Sequence, residues 1–437
     1  MLKYHFIGIK GAGMSSLACL LSDYGHFVQG SDVKEEFFTS KNLELRKINI
    51  YPFNEENINK ELIVIVGNAF IDNVEHQKAK ELGCEIYTYY EFLGKLSKKF
   101  YSIAVSGSHG KTTTTNLIRQ ILSKNEKINY LIGDGQGGGN HESELFVFEA
   151  CEYLRHFLHY FPDIAVVTNI DYDHPDYYKD ILDVQSAFKQ FIIQSDMVVY
   201  NGDDELLKEI IPDNKNKTSY GLKSTNDYYA ENISNDHHYT YYDLYIKNKF
   251  IGKIKIPLFG IHSIYNSLAS IVTSTLLNQN MEDIKECIAN FERSKRRFEE
   301  HTVDNQVIIS DYAHHPKEIK ATIEAVNAKY PFKKKVIYFQ PHTYTRTITF
   351  LKDFAEALSL VDKVYLREIF SSARETNKTI SVNDLAKIVN DCEVINDISY
   401  IETLKSHEKS VIIFMGAGDI DKYCMIYLDS IKNNNNF

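Results

Sequence analysis

Short apolar runs of strand length alternate with amphipathic stretches of helical length along nearly the whole chain. The run HFIGI precedes the helical pattern GMSSLACLLSDYG, and SIAVSG precedes KTTTTNLIRQILSK. Residues 225–257 differ, because short tyrosine-rich runs separated by polar turns there predict an antiparallel meander. Strands that alternate with helices are typical of βαβ units. We therefore predict an α/β protein with parallel sheets and a small antiparallel part.

The length of the chain predicts several domains. At about 150 residues per domain, 437 residues correspond to roughly three, which excludes a single small binding module. The polar, basic stretch LGKLSKKFYS ends a helical pattern and places one boundary near residue 98. The basic cluster SKRRFEE precedes a new strand and places the second near residue 296. The predicted domains are 1–98, 99–296 and 297–437.

Charge and composition narrow the function classes. The chain has 49 Lys and Arg against 59 Asp and Glu, a net charge of −10, which disfavours an extended nucleic-acid surface. No apolar stretch reaches 18 residues, so we predict no membrane span. The six cysteines are scattered, without a CxxC pair or a secretory segment, which is typical of reduced thiols in the cytoplasm.

Three strand-to-glycine-turn-to-helix transitions, at 5–24, 101–123 and 411–430, could each seat a phosphate. In the first, Gly8, Gly11 and Gly13 open a helix, and Asp32 follows a second short strand. Such glycines let the backbone approach a diphosphate, and an acid about 20 residues on can bind ribose hydroxyls. The alternative is a tight strand–helix turn without a ligand.

The second transition, SGSHGKTTT, resembles a phosphate-binding P-loop. Its backbone amides would cradle phosphates, Lys111 would reach the terminal phosphates, and the Thr112 hydroxyl would bind Mg²⁺. The standard pattern has glycine where this chain has Val105, so the common GTPase and ATPase templates fit imperfectly.

Acidic residues follow the strands after this loop. ELFVFEAC places Glu149 at a strand end, and DIAVVTNIDYDHP places Asp171, Asp173 and His174 at another. Because parallel strands bring their carboxyl ends together, a carboxylate and an imidazole there could hold Mg²⁺ against bound phosphates. His174 could equally be an ordinary capping or solvent-facing histidine.

Cationic and histidine clusters mark the last third of the chain. His314, His315, His342 and Arg346 lie near predicted strand ends and could bind anions or carboxylates. Zinc ligation by the adjacent histidines is a rival interpretation, although no cysteine is close by in the sequence. The run Lys295–Arg297 could be a solvated face or an arginine clamp on ATP oxygens at a domain junction.

Eight segments, in order from residue 5 to about 420, together resemble the Mur ligase family: HFIGIKGAGMSSLA, SGSHGKTTT, FEACE, TNIDYDHPDYY, KRRFE, DYAHHPKE, FQPHTYTRT and FMGAGDI. The resemblance implies a Rossmann-like N-terminal domain for a UDP-sugar, a central ATPase domain and a Rossmann-like C-terminal domain for the amino acid. It implies ATP and Mg²⁺ as cofactors. The most similar member joins L-alanine to the carboxylate of UDP-N-acetylmuramate through an acyl phosphate, in peptidoglycan precursor synthesis.

The resemblance also implies a role for each matching residue. It gives the catalytic roles to Lys111, Glu149, His174, Arg297 and Arg346. It gives ATP binding to Ser108, His109, Gly110, Lys111, Thr112, Thr113, Thr114, His262, Asn266 and Asp311, and Mg²⁺ binding to Thr112, Glu149 and His174. It gives UDP-N-acetylmuramate binding to Gly11, Gly13, Met14 and Asp32, and L-alanine binding to Tyr312, His342 and Arg346.

Some positions depart from the commonest family pattern, and alternatives remain. Cys151, Ser263 and Thr343 replace Asp, Asn and Arg, and the last change leaves Arg346 as the main cation for the amino acid. A second function within the family joins a preformed peptide to the same UDP-sugar in cell-wall recycling. A third alternative, from outside the family, is a Rossmann-type oxidoreductase or a nucleotide-gated regulator. We expect a monomer or homodimer.

Overall fold

The computed structural model describes residues 1–303, 305–371 and 380–432, and its strands form three sheets. The first part of the chain comprises β1 (Lys3–Ile7), α1 (Ala12–Asp23), β2 (Phe27–Ser31), α2 (Ser40–Leu45), β3 (Asn49–Tyr51), β4 (Ile63–Val66), α3 (Val74–Leu82), β5 (Glu85–Thr88) and α4 (Tyr89–Ser97). Its sheet is parallel throughout, in the order β3-β2-β1-β4-β5. This arrangement confirms the Rossmann-like N-terminal domain.

The central part has a ten-stranded sheet. It comprises β6 (Tyr101–Ser106), α5 (Lys111–Leu122), β7 (Asn129–Leu131), β8 (Gly137–Gly138), β9 (Leu145–Glu149), β10 (Ile164–Val167), α6 (Ile181–Gln194), β11 (Met197–Asn201), α7 (Glu205–Lys208), β12 (Asn216–Gly221), β13 (Tyr228–Asn235), β14 (Thr240–Ile246), β15 (Lys249–Ile256), α8 (Ile261–Leu276) and α9 (Met281–Ala289). The strand order is β15-β14-β13-β12-β11-β10-β6-β9-β7-β8. Strands β13, β14 and β15 pair antiparallel, which confirms the meander.

The last part has a six-stranded sheet in the order β16-β17-β21-β18-β19-β20. It comprises β16 (Glu299–Val303), β17 (Gln306–Asp311), α10 (Pro316–Lys329), β18 (Lys335–Phe339), α11 (Tyr344–Thr349), α12 (Leu351–Leu358), β19 (Lys363–Leu366), α13 (Val382–Ala386), β20 (Cys392–Val394), α14 (Tyr400–Lys405), β21 (Val411–Met415) and α15 (Ile420–Lys432). Only the edge strand β16 runs antiparallel to its neighbour.

Burial explains why these runs form strands. Ile103, Ala104 and Val105 of β6 are fully buried, and so are the residues of β21. Helices cover both faces of a parallel sheet, so its central strands are continuous apolar runs instead of alternating ones. All six cysteines are free thiols. None of the helices in the described part of the chain combines the length and apolar character that a membrane crossing requires.

A glycine-rich hairpin, β7–β8, joins the central sheet to the N-terminal domain. Gly137 lies so close to helix α1 that a Cβ there would collide with the Ser16 carbonyl oxygen. Arg46 donates a hydrogen bond to the Gly137 carbonyl at 3.2 Å, and Asp23 accepts one from the Gly139 amide at 3.2 Å. The hairpin is therefore fixed to α1 by contacts that leave no space for a side chain.

Candidate functional site

The loop between β6 and α5 has the backbone conformation of a phosphate-binding turn. Gly107 (φ +138°) and Gly110 (φ +84°) both have positive φ values, which other residues rarely adopt. A Cβ at Gly107 would collide with the Thr168 hydroxyl, and one at Gly110 would lie 2.5 Å from Asn266 Oδ1. The loop leads directly into the N-terminus of a 12-residue helix, which attracts anions.

Lys111 curls back over this loop. Its ammonium donates to the carbonyl oxygens of Gly107 at 2.6 Å and Ser108 at 3.1 Å, and it lies 2.9 Å from the buried Glu152 carboxylate. Burial lowers the pKa of Lys111, but Glu152 outweighs it and the pKa is raised. The lysine is therefore charged and close to the position where the loop amides would hold phosphates.

Two of the three predicted Mg²⁺ ligands meet beside the loop. β9 pairs with β6, so Glu149 lies level with Val105, and its Oε2 accepts a hydrogen bond from Thr112 Oγ1 at 3.3 Å. A hydroxyl and a carboxylate are the oxygen donors that Mg²⁺ prefers, so these residues fit the ion. Burial raises the pKa of Glu149, and a cation there would relieve that cost.

The third predicted ligand, His174, follows β10 with a positive φ of +56°. Its Nε2 lies 3.6 Å from Glu152 Oε1 and 3.8 Å from Asp173, and its ring packs on Tyr153 at 4.5 Å between centroids. Glu152 thus stands between the charged Lys111 and the imidazole of His174. The structure brings His174 to the same carboxyl edge as Glu149.

A cavity of about 270 Å³ opens next to the loop, between the central and C-terminal domains. Its walls include His109, Gly110, Thr112, Thr113, His262, Asn266, Arg297 and Asp311. The Nδ1 atom of His262 is buried without a hydrogen-bond partner in the described structure, and burial lowers its pKa to about 4. A neutral imidazole with an unused ring nitrogen suits recognition of a nucleobase. The cavity is thus placed for the nucleoside part of a nucleotide whose phosphates lie at the loop.

Other residues that are predicted to bind the nucleotide make hydrogen bonds that order the loop and the walls of the cavity. Thr114 donates a hydrogen bond to Asn266 Oδ1 at 3.3 Å, and Ser108 donates from its hydroxyl to the Asp171 carbonyl at 3.2 Å. Asp311 accepts backbone hydrogen bonds from Phe298 at 3.0 Å and Ala313 at 2.8 Å. Burial raises the pKa of Asp311, although Arg297 opposes the shift.

The predicted amino-acid side lies across the junction with the C-terminal domain. Arg346 is buried, and its Nη2 and Nε donate to Asp173 Oδ1 at 2.6 and 3.2 Å. Burial raises the pKa of Asp173, but His174 and Arg346 outweigh burial and hold it well below its usual range. The guanidinium that we expect to contact L-alanine therefore also pairs with the loop that carries His174.

His342 and Tyr312 both lie against the ring of His314. The His342 ring stacks on Phe370 at 5.5 Å and meets the edge of His314 at 5.9 Å, and burial lowers its pKa to about 3. The guanidinium of Arg297 lies over the Tyr312 ring at 5.2 Å. Arg297, which is predicted to contact ATP, thus lies against Tyr312, which is predicted to contact L-alanine.

The predicted UDP-sugar residues lie at the first glycine turn. Gly11 precedes α1, Met14 is buried, and a Cβ at Gly13 would lie 2.9 Å from the Tyr89 ring. Asp32 is held by the backbone amides of Lys10 at 2.7 Å and Val33 at 2.8 Å. The carboxylate therefore orders the turn next to the helix N-terminus.

Sequence reasoning missed two acidic residues of the site, Glu152 and Glu318. Glu152 lies three positions after Glu149, and no spacing rule separates it from a solvent-exposed acid. Glu318 could have been found, because His315-Pro-Lys-Glu318 forms a capping box at the start of α10. The contact between Glu318 and His109 across the domain junction is a long-range one that the local sequence does not encode.

Comparisons with known proteins agree with this architecture. The model described as "Mur ligase family, catalytic domain" matches residues 3–101, "Mur ligase middle domain" matches 105–274, and "Mur ligase, glutamate ligase domain" matches 296–418. The chain belongs to the Mur ligase family. As a Mur ligase it is an ATP-dependent carboxylate–amine ligase of cell-wall synthesis.

Solved Mur ligase structures resemble this one over nearly the whole chain. The UDP-N-acetylmuramate-alanine ligase of Thermotoga maritima is 26% identical, with 99% of this chain and 100% of that chain covered and a TM-score of 0.83. A murein peptide ligase of Psychrobacter arcticus is 20% identical, with 99% of each chain covered and a TM-score of 0.71. A MurF ligase of Thermotoga maritima in complex with ADP is 16% identical, with 87% and 97% covered and a TM-score of 0.67.

Proposed function

We propose that this Mur ligase joins L-alanine to the carboxylate of UDP-N-acetylmuramate and converts ATP to ADP and phosphate. The observation that carries the proposal is the end-to-end similarity to the Thermotoga maritima UDP-N-acetylmuramate-alanine ligase, at 26% identity and a TM-score of 0.83. The contacts of Lys111, Thr112 and Glu149 beside the phosphate-binding turn support its ATP-dependent half.

ATP would lie with its adenosine in the 270 Å³ cavity and its phosphates on the loop amides. His262, Asn266 and Asp311 would contact the nucleoside, and Lys111 the terminal phosphates. Thr112, Glu149 and His174 would hold Mg²⁺, which supplies positive charge to the transferring phosphoryl group. Arg297 would add a second cation from the domain junction.

The reaction would proceed in two transfers. An oxygen of the sugar carboxylate attacks the γ-phosphorus, so that an acyl phosphate forms and ADP leaves. The neutral amine of L-alanine then attacks the acyl carbon, the amide bond forms, and inorganic phosphate leaves with the C–O bonding electrons and takes up the proton that the amine nitrogen loses. Phosphorylation is required because a carboxylate oxygen is a poor leaving group.

The two remaining substrates would approach from opposite sides. The N-terminus of α1, with Gly11, Gly13, Met14 and the ordered Asp32 turn, would bind the UDP diphosphate. Tyr312, His342 and Arg346 would hold L-alanine from the C-terminal domain. Asp173 would keep the Arg346 side chain oriented, since the two are already joined at 2.6 Å.

The test is phosphate release from ATP and Mg²⁺ with UDP-N-acetylmuramate and one acceptor at a time. The acceptors are L-alanine, other amino acids and a preformed tripeptide, with a reaction lacking acceptor as background. Release that requires both the sugar and L-alanine would support the proposal. Release with the tripeptide alone would assign the recycling reaction, and no sugar-dependent release would refute both. A Lys111→Met preparation controls for contaminating phosphatase.

A further inference from the structure

The side chain of His109 reaches from the loop to carboxylates of both the central and the C-terminal domain. Its backbone is fixed by the end of β10, since its amide donates to Asn169 Oδ1 at 2.9 Å and its carbonyl accepts from Asn169 Nδ2 at 3.0 Å. The imidazole projects toward the C-terminal domain. This residue of the phosphate-binding loop therefore joins two domains.

Both ring nitrogens of His109 face carboxylates. Nε2 lies 3.1 Å from Asp171 Oδ2 in the central domain, and Nδ1 lies 3.4 Å from Glu318 Oε1 on α10. Only the imidazolium form carries a hydrogen on each nitrogen. Burial lowers the pKa of His109, but the hydrogen-bonded Asp171 and the nearby Glu318 carboxylate outweigh it and raise the pKa to about 9. Nδ1 has no hydrogen-bond partner in the described structure, so Glu318 acts on the ring as an ion-pair partner.

Glu318 is itself held in place from three directions. Its Oε2 accepts hydrogen bonds from the backbone amides of His314 at 3.1 Å and His315 at 3.2 Å, and lies 3.1 Å from His314 Nδ1. Glu318 thus orders the segment that leads to the predicted amino-acid side. Its other oxygen remains directed at His109.

Other charged groups complete the surroundings of His109. Lys317 contacts Asp171 at 2.7 Å, His315 has its ring centroid 4.9 Å away, and Asp173 adds a further negative charge. Burial lowers the pKa of His315 to about 4, so this neighbour is neutral. The positive charge between the two carboxylates is therefore carried by His109 and Lys317.

We infer that His109 and Glu318 are positioning residues that couple docking of the C-terminal domain to the shape of the ATP-binding loop. When α10 is docked, Glu318 holds the imidazolium, and the imidazolium holds the loop between Gly107 and Gly110. When α10 moves away, the loop loses this link to Glu318 and keeps its contacts within the central domain. The inference rests on the proposed function in one respect, that ATP phosphates bind to this loop.

The test compares Mg-ADP binding by calorimetry and the kinetics of phosphate release in Glu318→Gln, His109→Asn and the double variant. Glutamine keeps the oxygen that caps α10 but removes the charge that attracts the imidazolium. Glu324→Gln is the matched control, because Glu324 is exposed on the same helix. Thermal unfolding of each variant reports whether α10 itself is weakened.

We expect each single variant to raise the ADP dissociation constant and the KM for ATP roughly tenfold, because the loop loses a charged contact in a largely buried setting. The double variant should bind ADP no more weakly than His109→Asn alone, because that substitution already removes the contact with Glu318. Glu324→Gln should bind ADP as the unmodified chain does.

ADP binding within twofold in Glu318→Gln would overturn the inference, and so would fully additive effects in the double variant. A fall in melting temperature with unchanged ADP binding would also overturn it, because Glu318 would then only cap its helix. Failure of the unmodified chain to bind ADP would instead contradict the proposed function, so the two failures are distinguishable.

Discussion

The buried ion pair between Asp173 and Arg346 should stabilise the junction of the central and C-terminal domains. Only 7% of Asp173 and 5% of Arg346 are exposed, and two hydrogen bonds join them. Removing one partner of a buried pair costs about 3–5 kcal/mol, because the other charge stays buried without compensation. Asparagine retains an oxygen that can accept from Arg346, so we expect Asp173→Asn to cost about 2–3 kcal/mol.

Hydrogen exchange can measure this cost locally. The amides of α11, which carries Arg346, should exchange faster in Asp173→Asn by the factor that corresponds to the lost free energy, about 30- to 150-fold. Asp176→Asn is a control, since Asp176 is exposed on the same segment. Global denaturation is a poorer assay, because a protein of three domains does not unfold in one step.

A double variant separates the cost of the unpaired buried charge from the cost of lost packing. Arg346→Met removes the guanidinium and retains much of its apolar volume, so Asp173→Asn with Arg346→Met should recover at least about 1 kcal/mol relative to Asp173→Asn alone. Exchange in Asp173→Asn that matches the Asp176→Asn control would refute the reasoning. So would a double variant whose loss equals the sum of the two single losses.

Three further perturbations test the site. Lys111→Ala should reduce sugar-dependent phosphate release on the order of 100-fold with unchanged circular dichroism; release within tenfold would remove the lysine from phosphate binding. Gly107→Ala should abolish Mg-ADP binding in calorimetry, because φ is +138° at Gly107 and a Cβ there would collide with Thr168. The control Gly25→Ala should bind Mg-ADP normally, because Gly25 also has a positive φ (+74°) but faces open space. Equal binding by the two variants would contradict this prediction. The pKa of His109 is raised from 6.5 to about 9. The contribution of the protonated ring to folding stability is therefore complete below about pH 6.5 and disappears as the pH rises through 9. The excess melting temperature over His109→Asn should therefore shrink between pH 6 and pH 9.5, and a constant excess would count against it.

Local sequence predicts the elements of this chain and the residues at their ends. The P-loop turn, the meander and the strand ending at Glu149 are all encoded in short windows, where glycine conformation and apolar runs decide the structure. Since parallel strands align their carboxyl ends, the meeting of Thr112 and Glu149 also follows from the sequence.

Contacts between domains lie beyond such windows. Arg346 was predicted to contact an amino acid, and nothing in FQPHTYTR indicates that Asp173, 173 positions earlier, pairs with it. The link from His109 to Glu318 spans an even longer stretch of sequence. These pairs form because the central and C-terminal sheets face one another in a particular orientation. The hydrophobic periodicity of the sequence does not predict that orientation.

The hairpin β7–β8 determines which parts of the molecule can move. Gly137 lies directly on the backbone of α1, and Gly133 of the same segment donates to Glu149, so one short piece of chain touches both the helix predicted to bind the UDP-sugar and the predicted metal ligand. The hairpin thus contacts both the N-terminal and the central domain, and charged pairs such as Arg346 with Asp173 link the central to the C-terminal domain. We therefore expect movement chiefly between the central and C-terminal domains. Labels on α1 and α5 should keep a constant separation through turnover, and a label on α10 should be the one that travels.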